Sequence, residues 1–417
     1  MGIEVHKVRR ARVNVESTFA TALTIPGTFL DLPFVEDSFS FTLDQDLLDP
    51  QYSQQYKYQI AEHVLGKRSA TWSFTMNLAS TGTSAGSAVA QATSTTNPLG
   101  LMLKAVMGGE TGYTGSAVTG GTASVPIATS ASTRFGAGSV VGLTVSGGYQ
   151  WRPITSIATT SITLKLAAST TPTSTDCYAP TTYYLAQDSN PNDSTTLQFE
   201  VDGADPYDRF LLLGCQCTGM TISLENGALG RVTFSGVAAD WAYNGATVTG
   251  SIGAATYAAT QPVPNVTGAY YQWTNGTTTY TASTATTEGS ELHVAKETWE
   301  PSITHIPVTS PSGTQTILRY VRGRSVPVIK GSFTIPHISN TQFTNRSGLV
   351  DKGYLRVLGG TPGSTVILDA PTTQVMNVQK ANEGELNYQT VNWQGRNDGT
   401  TAGSTDLERS PFRIHLA

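Results

Sequence analysis

Residues 221–237 read Thr221-Ile222-Ser223-Leu224-Glu225-Asn226-Gly227-Ala228-Leu229-Gly230-Arg231-Val232-Thr233-Phe234-Ser235-Gly236-Val237. Residues 375–391 read Val375-Met376-Asn377-Val378-Gln379-Lys380-Ala381-Asn382-Glu383-Gly384-Glu385-Leu386-Asn387-Tyr388-Gln389-Thr390-Val391. Laid over each other without gaps, at an offset of 154 residues, Ile222 meets Met376, Leu224 meets Val378 and Gly230 meets Gly384. Val232 then meets Leu386, Phe234 meets Tyr388 and Val237 meets Val391. Each copy is a strand hairpin with apolar residues at period two. After Phe234 and after Tyr388 the apolar phase slips by one residue, so a bulge or bend is expected in each copy.

The match extends upstream. Ser73-Phe74-Thr75 recurs as Ser332-Phe333-Thr334, and Val106-Met107-Gly108-Gly109 as Val357-Leu358-Gly359-Gly360 at the end of a helix-like stretch. Ser194-Thr195 recurs as Ser364-Thr365, each opening a strand. Each copy thus reads strand, loop, helix, strand, hairpin. From the second glycine to the following Ser-Thr the numbering advances by 85 in the first copy and by only 4 in the second, which places an insertion at residues 110–193. The expected organisation is an arm at 1–30, a first unit at 31–245 with 110–193 inserted, a linker or surface excursion at 246–290 and a second unit at 291–417.

Elsewhere the pattern agrees with a mainly β chain. Phe39, Phe41 and Leu43 alternate with Ser40, Thr42 and Asp44, and Trp72, Phe74, Met76 and Leu78 alternate with polar residues. The clearest helix starts at Asn97-Pro98, a good cap followed by a residue suited to the first turn. Leu99, Met102, Leu103 and Val106 make one apolar face, and Gly108-Gly109 stops it. Residues 110–193 are rich in Gly, Ser and Thr; the stretch from Arg134 to Leu185, with short strands at Ser139–Val145 and Ser161–Leu166, reads as a small β-barrel.

The 417 residues contain 13 % charged and 39 % apolar side chains, with 41 Gly. That is about half the usual share of charge for a soluble domain, yet ample core material. Thirty acids against 25 bases give a net charge of −5, which disfavours a basic nucleic-acid binder. Three Cys cannot all pair within the chain, and no CxxC or clustered His accompanies them, so neither a disulfide scaffold nor a zinc site is expected. The N-terminus lacks the apolar core of a secretory signal, and no run approaches 18 apolar residues, so no helical membrane span is expected.

Chemistry is sparse. Asp44, Asp46 and Asp49 form D-x-D-x-x-D without the glycine and terminal Glu of a calcium loop, and read as a solvated strand end. Asp202, Asp205 and Asp208 read as turn residues. The six His (His6, His63, His293, His305, His337 and His415) form neither HxH nor HExxH. Arg322-Gly323-Arg324 is a short basic spot suited to salt bridges. No phosphate-binding GxxxxGK[ST] loop occurs, and no cofactor or metal is expected.

This organisation resembles the tail tube proteins (major tail proteins) of long-tailed, siphovirus-like bacteriophages. The resemblance rests on Val15-Glu16-Ser17-Thr18-Phe19 and its following strands, on Gly66-Lys67-Arg68 leading into Trp72–Leu78, and on the helix ending in Val106-Met107-Gly108-Gly109. It rests also on Phe210–Trp241, where Gly214-Cys215 precedes Met220-Thr221-Ile222-Ser223-Leu224-Glu225-Asn226-Gly227. The insertion, with Arg134-Phe135, Trp151-Arg152-Pro153-Ile154 and Thr182-Tyr183-Tyr184-Leu185, is similar to inserts of such proteins. The resemblance covers most of 12–245 and, more faintly, 300–400.

It implies two tandem tail-tube-type β-sandwich/barrel domains, each flanked by a helix, with a small β-barrel inserted in the first. It further implies trimeric, pseudo-hexameric rings stacked into a tube whose inner sheets join around a lumen. Genomic DNA would pass through without specific binding, with tape-measure, tail-terminator and tail-tip proteins as further partners and the virion tail as location, after synthesis in the host bacterial cytoplasm. The lumen and inter-subunit hairpins are expected around Met220, Ile222, Leu224, Val232, Phe234, Met376, Val378, Leu386 and Tyr388. The Tyr-rich loop Leu47–Glu62, with Tyr52, Tyr56 and Tyr58, is the expected ring-to-ring contact. The lumen wall is expected to be acidic or neutral, so that DNA slides. The alternative is a capsid decoration or adhesin protein of tandem β-sandwiches; an enzyme is not expected.

Overall fold

A computed structural model of the chain describes residues 8, 10–16, 19–21, 29–48, 64–80, 95–113, 116–117, 121–126, 134–145, 148–165, 167–168, 170–172, 176–186, 197–202, 209–243, 270–275, 296–302, 305–309, 317–322, 328–336, 346–349, 351–359, 363–383, 386–397 and 405–417. The chain is mainly β, and among the described residues seventeen strands are hydrogen-bonded into one continuous system.

Eight of these strands lie side by side. Ser40–Leu48 pairs with Val64–Asn77, Val64–Asn77 with Arg231–Ala238, and Arg231–Ala238 with the second part of Arg209–Glu225. That long strand pairs in turn with Lys296–Ser302. From there the order continues through Val328–Pro336 and Leu386–Gly395 to the second part of Val366–Glu383. The pairing order of the first four strands recurs in the last four.

The two long strands each leave this front sheet to enter a back sheet. The first part of Arg209–Glu225 lies between Leu197–Asp202 and Asp240–Tyr243, and Leu197–Asp202 also pairs with Arg10–Val15. The first part of Val366–Glu383 lies between Asp351–Leu358 and Arg413–Leu416, and Asp351–Leu358 also pairs with Tyr270–Asn275. One seven-strand pairing pattern therefore occurs twice, in the same chain order.

Front and back sheets are held together by aromatic side chains at matching positions. Phe199, opposite Leu212 in the back sheet, contacts Trp72 (ring centroids 4.8 Å apart) and Phe74 (5.9 Å) in the front sheet. Tyr354, opposite Ala370, contacts Trp299 (4.4 Å), Phe333 (5.6 Å) and Trp393 (5.6 Å). Both sets belong to one apolar cluster that runs through the molecule. Burial of such large side chains is the main favourable term in a fold with so few charges.

The helix forms as its sequence predicts, over Pro98–Met107. Asn97 Oδ1 accepts from the backbone N–H of Leu99 and Gly100, and Gly108 ends the helix at φ 85°. Its apolar face joins the same core.

Six expectations need correction. The hairpins do not match at an offset of 154. Phe74 opposes Phe234, which opposes Met220; Phe333 opposes Val391, which opposes Val378. Phe234 thus corresponds to Val391, and Met220 to Val378. Each copy does carry a bulge, but in the outgoing strand, between Cys217 and Gly219 and between Val375 and Asn377. The apparent slip in the returning strands has another cause: half-buried Val237 and Tyr388 lie on the outward face, while Gln389 is buried on the core side.

The second copy has no counterpart of the helix before Gly359-Gly360 among the described residues; Asp351–Leu358 is a strand. Its Tyr354 and Leu358 face one core and Leu355 and Val357 another, so the strand reads as a continuous apolar run. What the two motifs share is the stop: Gly108 (φ 85°) and Gly359 (φ 82°) both take a left-handed conformation.

Residues 10–15 are not part of a peripheral arm, because Val13 is fully buried within the back sheet. Residues 270–275, inside the expected linker, are a strand of the other back sheet. Finally, a separate six-stranded sheet does lie within 116–178, with its own core of Val125, Phe135, Leu143, Ile154 and Ile162. Thr181–Leu185, however, leaves it to pair with Gly108–Gly112 and Arg413–Leu416.

Candidate assembly surface

The front sheet has one face on the core and one outside, as period two requires. Met220, Ile222, Leu224, Val232 and Phe234 are all buried at 2 % exposure or less, so they line the core and not a wall. Val378 is likewise buried, at 7 %. Tyr388 is half-buried on the outward face, and Met376, at the bulge, is 51 % exposed. The side chain of Leu386 and the whole of Tyr52, Tyr56 and Tyr58 lie outside the described residues. The outward face is made by the residues between: Ser40, Thr42, Thr71, Ser73, Thr75, Thr233, Ser235, Ser223, Thr298, Ser332, Thr334, Thr390 and Asn392.

Hydroxyls on this face pair across strands. Ser40 and Ser73 Oγ are 3.0 Å apart, and Thr298 Oγ1 and Ser332 Oγ 2.9 Å. Thr75 and Thr233 Oγ1 are 2.9 Å apart, and Thr334 and Thr390 Oγ1 3.0 Å. In the strand alignment set by the two four-strand runs, the first pair matches the second and the third matches the fourth. Charges of both signs accompany them. Glu225 stands opposite Lys296 and Glu300 opposite Lys330, with Asp44 and Arg231 also outward.

The two runs meet at a seam between Arg209–Glu225 and Lys296–Ser302. Its register sets Gly219 opposite Ser302, Ile222 opposite Trp299, Ser223 opposite Thr298 and Leu224 opposite Glu297. Beneath the seam, buried Glu297 accepts from Tyr354 Oη and forms an ion pair with Arg356 Nε at 2.6 Å. Burial pushes the Glu297 carboxyl up, against the pull of Arg356 and of its hydrogen bonds to Tyr354 and Trp299. The corresponding first-half residues are Phe39 and Val201, both buried and apolar.

Two edges end the sheet. Among the described residues, Ser40–Leu48 has Val64–Asn77 as its one strand partner, and the second part of Val366–Glu383 has Leu386–Gly395. These edges correspond to the two strands that meet at the seam: Ser40–Leu48 to Lys296–Ser302, and Val366–Glu383 to Arg209–Glu225. Each open edge is thus the counterpart of a strand that already pairs with the other kind. Repetition of the pairing order was partly legible in sequence; the complementarity of the edges was not, because it depends on which strands end up outermost.

Among the described residues no three His, Cys, Asp or Glu side chains converge as a metal would need. No helix among them is long and apolar enough to cross a membrane. No protein-family model matches the chain, and no curated protein sequence matches it significantly.

Proposed function

We propose that the chain is a structural virion protein that assembles into stacked rings forming a phage tail tube, a conduit for genomic DNA. In this reading the two seven-strand patterns are tandem tail-tube domains. The sheet within 116–178 is an inserted domain on the outside of the tube. Three chains make a ring with pseudo-six-fold symmetry.

One observation carries the reading: a single front sheet, built from two equivalent runs, ends among the described residues in complementary open edges. An open edge is a liability that proteins cover or pair, and head-to-tail pairing around a closed ring removes both edges at once. The outward face then becomes the lumen wall. Its paired hydroxyls and its lysines set opposite glutamates favour passage over retention, since a basic wall would release counterions and hold DNA. Tape-measure, tail-terminator and tail-tip proteins would bound such a tube. No catalytic role belongs to this reading.

Electron microscopy of the purified protein over a concentration series tests it. Hollow tubes above a threshold concentration are the expected outcome. Discrete particles at every concentration, also after addition of a tail-tip preparation, would instead favour a decoration or adhesin protein.

A further inference from the structure

The seam inside the chain is a worked example of how one four-strand run joins the next. We infer that one copy adds its Val366–Glu383 edge to the Ser40–Leu48 edge of a second copy in the register of that internal seam. The inference rests on the tube reading and specifies its joint residue by residue.

The register follows from pairings already described. Ser40 opposes Ser73 as Thr298 opposes Ser332, so residues of Ser40–Leu48 correspond to those of Lys296–Ser302. Val378 opposes Val391 as Met220 opposes Phe234, so Asn377 corresponds to Gly219 and Lys380 to Ile222. Carrying the internal register across puts Asn377 opposite Asp44 of the second copy, Gln379 opposite Thr42 and Lys380 opposite Phe41. Both bulges fall at the same place relative to the joint, so the edge strand has the bend it needs.

The side chains fit that register. On the outward face Asn377 and Gln379 meet Asp44 and Thr42, donors and acceptors on both sides. A slip of one residue would turn these polar groups toward Phe39 and Phe41, which are buried at 6 % exposure. The chemistry also differs from the internal seam in one respect. Where Ile222 faces Trp299 inside the chain, Lys380 faces Phe41 between chains. The joint therefore depends on backbone hydrogen bonds and outward polar pairs more than on apolar burial.

Disulfide trapping tests the register in the full-length chain. Thr42 and Gln379 stand at opposite ends of an eight-strand sheet, seven spacings of roughly 4.8 Å apart, far beyond the reach of one disulfide. A bond between them must join two chains. The native Cys177, Cys215 and Cys217 are buried at 0 % exposure and stay out of the reaction.

The double variant Thr42→Cys/Gln379→Cys, assembled and then mildly oxidised, should give a ladder on a non-reducing gel that ends at three chains. Either single variant should give none. Ser40→Cys/Gln379→Cys and Asp44→Cys/Gln379→Cys, displaced by two residues, should link at least about tenfold more slowly. As a second readout, Thr42→Lys/Gln379→Lys should block assembly in sedimentation, and Thr42→Lys/Gln379→Glu should restore it. Tubes in micrographs with faster linking by a displaced pair, or with no linking by any pair, overturn the register and leave the tube reading standing. Absence of both tubes and ladder overturns both.

Discussion

Gly236 and Gly331 are the plainest record of one design used twice. Gly236 opposes Trp72, and a Cβ there would lie 2.3 Å from the indole. Gly331 opposes Trp393, and a Cβ there would lie 2.2 Å from that indole. The two Trp come from opposite strands of matching pairs, so the same cross-strand space is filled from the left in one half and from the right in the other. Gly236→Ala and Gly331→Ala should each lower the stability by about 1–3 kcal/mol through overpacking, read from urea midpoints. Lys380 sits opposite buried Gln389, on the core side of an edge strand, where a charge discourages indiscriminate pairing. Lys380→Ile, which copies Ile222, should lower the threshold concentration for assembly about tenfold, followed by light scattering. His415 is buried beside Arg413, with Nδ1 2.8 Å from Thr182 Oγ1, and burial with that neighbouring charge holds its pKa well below the ordinary value. Because the folded chain resists protonating it, the stability it contributes is present above about pH 6.5 and declines as pH falls below that. His415→Asn should flatten that acid-side decline in urea midpoints measured from pH 7.5 to pH 5.

Among the elements, the C-terminal strand does the most joining. Arg413–Leu416 pairs on one side with Val366–Asp369 of the second half and on the other with Thr181–Tyr184, which the chain reaches before the first half is complete. Arg413 fixes it: Nη1 meets Asp369 Oδ2 at 3.0 Å, and Nε and Nη2 donate to the carbonyls of Leu407 and Glu408. Arg413 and Asp369 are both buried, so Arg413→Ala removes the cation of a buried ion pair. A loss of about 3–5 kcal/mol is expected, with amide exchange rising first in 181–185 and 366–369. None of these joints was legible in the sequence. Alternation revealed the strand Ser40–Leu48 and residues 71–77 of Val64–Asn77, and the cap and stop revealed the helix, because those signals are local. The strand Asp351–Leu358 was hidden because both its faces are buried, which removes the alternation that marks a strand. The offset between copies was misjudged because an outward Tyr388 and an inward Gln389 invert the usual polarity on one strand.

At the scale of the whole molecule, two equivalent four-strand runs join at an internal seam, and the proposed assembly would close the two complementary edges left among the described residues. The four hydroxyl pairs follow the same repeat, so the outward face is as periodic as the core. The small sheet within 116–178 packs Val140 and Trp151 against Leu355, Val357 and Ile367, on the side of the back sheet away from the front one. Rotational averaging of end-on cryo-electron micrographs of assembled protein tests the central claim most directly. The account predicts three-fold rings with six similar inner lobes around an open lumen and three outer densities, one per chain. Six-fold rings of six chains, or assemblies in which the front sheet faces outward, would contradict it.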